Sequence, residues 1–131
     1  MPLDLTGFVK PLMALLHVFQ RERHYKVQLK QQEEARRKEA LKAVLDALAA
    51  TRIYVAGLPD KYDRDREYEL SELWAIAAIR CRRTLESVQD ESLDKMRYWL
   101  DSIKWPQSVV KEKGIDLESM EAKFRALVEE K

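Results

Sequence analysis

The chain is predicted to be all-α: a small antiparallel helical bundle with a long N-terminal helix projecting from it. Three observations predict this. Residues 20–56 contain neither proline nor glycine, so nothing there breaks a helix. Apolar residues recur three and four apart in successive segments, the spacing of one helical face. Only three glycines occur in 131 residues, while Ala, Leu, Glu, Lys and Arg dominate, a composition of helices and not of sheets.

The first segment, Leu3 to Phe19, is strongly apolar. Leu5, Phe8, Leu12, Leu15 and Phe19 keep the three-four spacing of a bundle or coiled-coil seam, and Val9, Met13 and Leu16 widen the stripe. Thr6 is a candidate N-cap, and Pro11 then falls near the first turn, where a missing N–H costs least. The stripe is shorter than the roughly 20 apolar residues that a membrane-spanning helix needs.

The long helix follows, from Gln20 to about Leu58. Its first half contains KQQEEARRKE over residues 30–39, with no large apolar side chain. Such a stretch cannot bury a face of its own. Glu22, Glu33 and Glu34 stand four residues before Lys26, Arg37 and Lys38, pairs worth about 0.2–0.5 kcal/mol each. Continuity with the packed second half is the larger support, because extending a helix avoids the cost of nucleating one. An unbroken rod here would measure on the order of 50 Å or more. In the second half, Leu41, Val44, Leu45, Leu48, Ile53 and Val55 are expected to face the core, and Gly57 with Pro59 ends the helix.

Three shorter helices complete the bundle. One is expected over about 62–85, capped by Asp60 or Asp63, with Leu70, Leu73, Trp74, Ala77 and Cys81 inward and Ile76 and Ile79 beside them. Acids at its start and Arg80, Arg82 and Arg83 at its end suit the helix dipole. Residues 86–91 read as a polar loop. A third helix, capped by Asp90 or Ser92, carries Leu93, Met96, Leu100 and Ile103 at strict three-four spacing and stops before Pro106. Residues 107–114 read as a connector. Asp116 caps the last helix, with Ile115 stapled to Met120 and with Leu117, Phe124, Leu127 and Val128 inward.

Two regions result: an apolar N-terminal helical segment, 1–26, for interaction or anchoring, and a bundle domain, 27–131, that includes a polar spoke over 27–40. Charged residues make up 36% of the chain and nearly cancel, for a net charge of +1, so bulk charge points to neither nucleic acid nor membrane. The best basic stripe, Arg21 to Lys42, is diluted by four glutamates before Ala40 and has one aromatic, Tyr25, which disfavours a nucleic-acid role. The lone cysteine excludes an internal disulfide and fits a reducing, cytoplasmic setting.

No catalytic motif, cofactor site or metal site emerges. His17 and His24 lie seven apart with no further ligand at helical spacing, so a metal is not expected. The acidic run Asp60, Asp63, Asp65, Glu67, Glu69 and Glu72 is interleaved with Lys61, Arg64 and Arg66, and reads as helix-start charge on a solvated face. Cys81 falls on a buried face and is expected to be inert.

The expected function is therefore a non-catalytic interaction or assembly module. Its partner is another copy of itself or another protein, met through Leu5, Phe8, Leu12, Leu15, Leu16 and Phe19. The polar spoke separates this stripe from the main core, and an apolar patch so exposed marks an interface. The alternative is a peripheral membrane protein resting on anionic lipid by residues 3–26, where Arg21, Arg23 and Lys26 adjoin the stripe. Packing of the stripe within the chain is the third arrangement.

Overall fold

The computed structural model describes residues 6–58, 60 and 62–129; in the first helix the side chains of residues 6–13, 15 and 19 fall outside that description. The described residues form five α-helices and no strand: α1 (Thr6–Ala56), α2 (Arg64–Cys81), α3 (Gln89–Leu100), α4 (Gln107–Glu112) and α5 (Leu117–Glu129). Short 3₁₀ turns, Glu86–Val88 and Ser102–Lys104, flank α3. The expected all-α bundle with a long N-terminal helix is what forms. Contacts divide the chain into two units, Met1–Ala35 and Arg36–Lys131.

In the first unit every described side chain from Ala14 to Ala35 is exposed. The second unit holds the core. From α1 it takes Ala40, Val44, Ala47, Leu48 and Tyr54; from α2, Leu70, Trp74, Ala77 and Cys81; then Leu85, Val88, Trp99, Met120 and Leu127. Trp74 is completely buried, and its Nε1–H donates to Thr51 Oγ1 at 2.9 Å. The Thr51 hydroxyl in turn donates to Ala47 O at 2.7 Å, so the deepest indole leaves no donor unpaired.

Helix ends follow local chemistry. α1 ends at Ala56, where Gly57 N–H and Leu58 N–H close bonds to the carbonyls three residues back, Tyr54 and Val55. Asp63, one of the two expected caps, accepts from the N–H groups of Asp65 and Arg66 at the start of α2. Asp116 accepts from Ser119 N–H at the head of α5, as its position predicts. Gly114, at φ +67°, takes the left-handed turn that admits glycine without strain.

Several expectations about facing are corrected. Leu45, Ile53 and Val55 are exposed, Ile53 by 74%, and the buried line of α1 is Ala40, Val44, Ala47, Thr51 and Tyr54. Ile76 and Ile79 are exposed rather than packed. On α3 the expected Leu93–Met96–Leu100–Ile103 face is only half-buried to exposed, with Ile103 at 84%, while Val88, Ser92, Lys95 and Trp99 point inward. Ser92 lies inside α3 and bonds back to Val88 O at 2.7 Å, so it is not the cap. The 86–91 loop is instead a 3₁₀ turn running into α3, and the 107–114 connector contains α4, which buries Val110. On α5, Val128 is exposed.

Candidate functional site

Two regions merit comparison as sites: the exposed apolar side chains of α1 and a polar cluster inside the bundle. Of the stripe expected to mediate interaction, Leu16 is 52% exposed. Leu5 lies outside the described residues; α1 passes through Phe8, Leu12, Leu15 and Phe19, whose side chains likewise lie outside the description. Further along, Val18, Tyr25, Val27 and Leu29 are also exposed. His17 is exposed, and His24 Nε2 accepts from Gln28 Nε2 at 3.1 Å on the solvated surface. Among the described residues, no group of three His, Cys, Asp or Glu side chains is placed to hold a metal ion. Among them, too, no helix is long and apolar enough to cross a membrane.

The polar cluster was not anticipated. Glu67 is not on a solvated face; it is 1% exposed. One carboxylate oxygen accepts from Tyr54 Oη at 2.7 Å, and the other from Arg64 at 2.7 Å and from Ser102 Oγ at 3.0 Å. Arg64 also donates to the carbonyl of Leu100 and stacks over Tyr68, 4.7 Å from the ring centroid. Burial, with the Glu67 carboxylate adding to it, pushes the Tyr54 phenol up to about 12. Tyr54 Oη also accepts from Asp63 N–H. A carboxylate holding three donors is a clamp: it ties the end of α1, the head of α2 and the turn after α3 together.

A second buried charge is Lys95 on α3, 3% exposed. Its ammonium lies 5.2 Å from the Tyr98 ring centroid and 5.4 Å from that of Trp99. Burial pushes it down to about 8, against a weaker opposing pull from Asp116. Trp99 packs edge-on against Tyr54 and Tyr98, and its Nε1–H is buried without a hydrogen-bond partner among the described residues. Cys81 is fully buried, and burial pushes its thiol up to about 11, so it is no nucleophile at neutral pH.

Among the grooves that the described residues form on the bundle, two lie against α1. Between α1 and α5, Leu45, Leu48, Phe124 and Val128 floor a groove of about 400 Å³ whose rim carries the Arg52–Glu121 ion pair. Between α1 and α2, Ile53, Tyr54, Leu70 and Leu73 line one of about 510 Å³. Its charged groups are already engaged, Arg66 with Glu69 at 3.2 Å and Asp63 with backbone N–H groups. Neither groove gathers free titratable groups around one point, which is what acid–base chemistry requires.

Comparison with protein-family models, with curated proteins and with solved structures finds no match for this chain.

Proposed function

We propose that the protein is a non-catalytic helical assembly module that self-associates through the apolar N-terminal part of α1. The observation that carries this is the exposure of that helix: from Ala14 to Ala35 no described side chain is buried, yet Leu16 and Val18 are apolar and about half in water. Covering the half of such a side chain that stands in water is worth about 1 kcal/mol, so a partner surface gains on each turn it covers. The three-four spacing of Leu5, Phe8, Leu12, Leu15 and Phe19 is what a second helix of the same kind fits. A reducing compartment such as the cytoplasm suits a chain whose one thiol is buried and unpaired.

Light scattering on a sizing column, over a range of concentrations, tests the proposal. The full chain is expected to run as a dimer or larger species, and a chain lacking residues 1–19 as a monomer. A full chain that stays monomeric at high concentration, and is unchanged by that deletion, refutes it. Salt-sensitive co-sedimentation of a monomeric chain with anionic vesicles would reassign the surface to lipid, through residues 3–26.

A further inference from the structure

The groove between α1 and α5 lies wholly within the second unit, away from the N-terminal stripe of the proposed assembly. Its floor is apolar. Leu48 is buried, Phe124 packs against the core, and Leu45 and Val128 stand 49% and 56% in water. Leu45 and Arg52 are two turns apart on α1, which sets the length of the floor at about 10 Å.

The rim carries the charge. The Arg52–Glu121 ion pair joins α1 to α5 at one end of the groove. Both Glu121 oxygens accept from a single nitrogen, Arg52 Nη2, so the pair is neutral and the donors on Nη1 and Nε are left over. Glu118 also acts on Arg52, from one turn nearer the start of α5 and so away from the apolar floor. Arg125 lines the groove between Glu121 and Val128; it is exposed and, among the described residues, makes no ion pair. An apolar trough with an unpaired guanidinium on its edge is complementary to an amphiphile with an anionic head. Size selects which amphiphile. A volume of about 400 Å³ falls in the small-ligand range of about 300–1,000 Å³. A helix, about 10–12 Å across, would have to displace the Arg52–Glu121 pair to lie along the groove, whereas a single alkyl chain lies on the floor beside it.

We infer that this groove binds a medium-chain fatty acid anion, with its tail on Leu45, Leu48, Phe124 and Val128 and its carboxylate held by Arg125. The leftover donors of Arg52 complete the head site. Arginine suits the role because its planar fork matches the two oxygens of a carboxylate. The binding is independent of self-association through the N-terminal part of α1, and either can fail without the other.

Equilibrium dialysis of the full chain against radiolabelled decanoate, kept below the concentration at which it forms micelles, tests the site. Saturable binding of one decanoate per chain is expected. From hexanoate to decanoate the affinity should rise about twofold or more per methylene, where full burial of each would give about fourfold. Decyltrimethylammonium, with the same tail and the opposite charge, should bind about tenfold more weakly or worse. Arg125→Glu should weaken decanoate about tenfold or more while leaving decanol within twofold, and Val128→Glu should weaken both. Both positions are exposed, and an unchanged urea midpoint shows that the bundle is intact in each variant. Absence of saturable binding overturns the inference. So does equal binding of the two charged probes, or decanoate binding that either variant leaves unmoved, since the amphiphile then sits elsewhere. Loss of self-association in Leu45→Glu, with no amphiphile present, would assign the groove to a second copy of the chain and overturns it as well.

Discussion

Lys95 is the residue whose environment departs furthest from its chemistry. Its ammonium is buried over two aromatic faces, and burial weakens its hold on the proton. Below about pH 8 both folded and unfolded chains carry its proton, so the whole penalty is present. Between about 8 and the ordinary lysine value of 10.5 the unfolded chain binds more protons, and stability rises with pH. Tyr54 acts in the opposite sense: above about pH 10 the unfolded phenol ionises first, and stability falls. The Cys81 thiol, raised to about 11, also lowers stability once the unfolded thiol ionises above about pH 9. Urea denaturation should therefore show stability climbing from pH 8 to about 9, levelling there, and falling above about pH 10. Lys95→Met should remove the climb and stabilise the protein at pH 7 by on the order of 3 kcal/mol. Glu67→Ala should do the reverse, losing about 3–5 kcal/mol, because it strands Tyr54, Arg64 and Ser102 without their acceptor. Backbone positions give a paired check. Arg83 holds φ 67° without being glycine, and Gly114 holds the same angle with Lys123 Nζ 3.1 Å from where a Cβ would stand. Arg83→Gly should stabilise by up to about 1 kcal/mol, and Gly114→Ala should cost about 1–2 kcal/mol, both read from thermal or urea midpoints.

At the scale of the element, all three central helices use the same device. The buried lines are 40, 44, 47, 51, 54 on α1; 67, 70, 74, 77, 81 on α2; and 88, 92, 95, 99 leading into and along α3. Each alternates three and four. The helices other than α4 are legible because proline, glycine and capping aspartates punctuate them, whereas the six-residue α4 between Pro106 and Gly114 reads as a connector. The faces were less so, because the seam positions are filled by Ala40, Ala47, Thr51, Glu67, Ser92 and Lys95, while larger apolar residues such as Ile53, Ile79 and Ile103 stand in water. Ranking residues by apolar size therefore selects the wrong face of α3 and part of the wrong face of α1. Extending the Leu70–Trp74–Ala77–Cys81 spacing back by three residues lands on Glu67, and that was the available signal for the clamp. Tyr54 and Ser102 carry no such signal, since their meeting with Glu67 depends on how three elements pack. The small residues on α1 are where the bundle is least tolerant. Ala47→Leu, at 0% exposure, should cost about 1–3 kcal/mol by overpacking, whereas Ile53→Ala, at 74% exposure, should lie within about 0.5 kcal/mol of the parent by urea denaturation.

For the whole molecule, what matters is where the core begins. Among the described residues the first buried side chain is Ala40, and all others come later in the chain. Residues 14–35 bring helix without burial, so their order depends on continuity with the packed half of α1 and on whatever covers their apolar side chains. A chain of residues 36–131 should therefore unfold cooperatively, with a denaturant slope close to that of the full chain, since that slope follows the surface buried on folding. The full chain should differ in one respect. If its N-terminal helix meets a second copy, association adds stability that grows with protein concentration by mass action. The melting temperature of residues 1–131 should then rise by a few degrees over a hundredfold increase in concentration, while that of residues 36–131 stays fixed. For this size of domain, about 1 kcal/mol corresponds to a few degrees, well within calorimetric resolution. Two flat profiles would mean that the first helix is carried by the fold without contributing to assembly, and two rising ones would move the contact from α1 to the bundle surface.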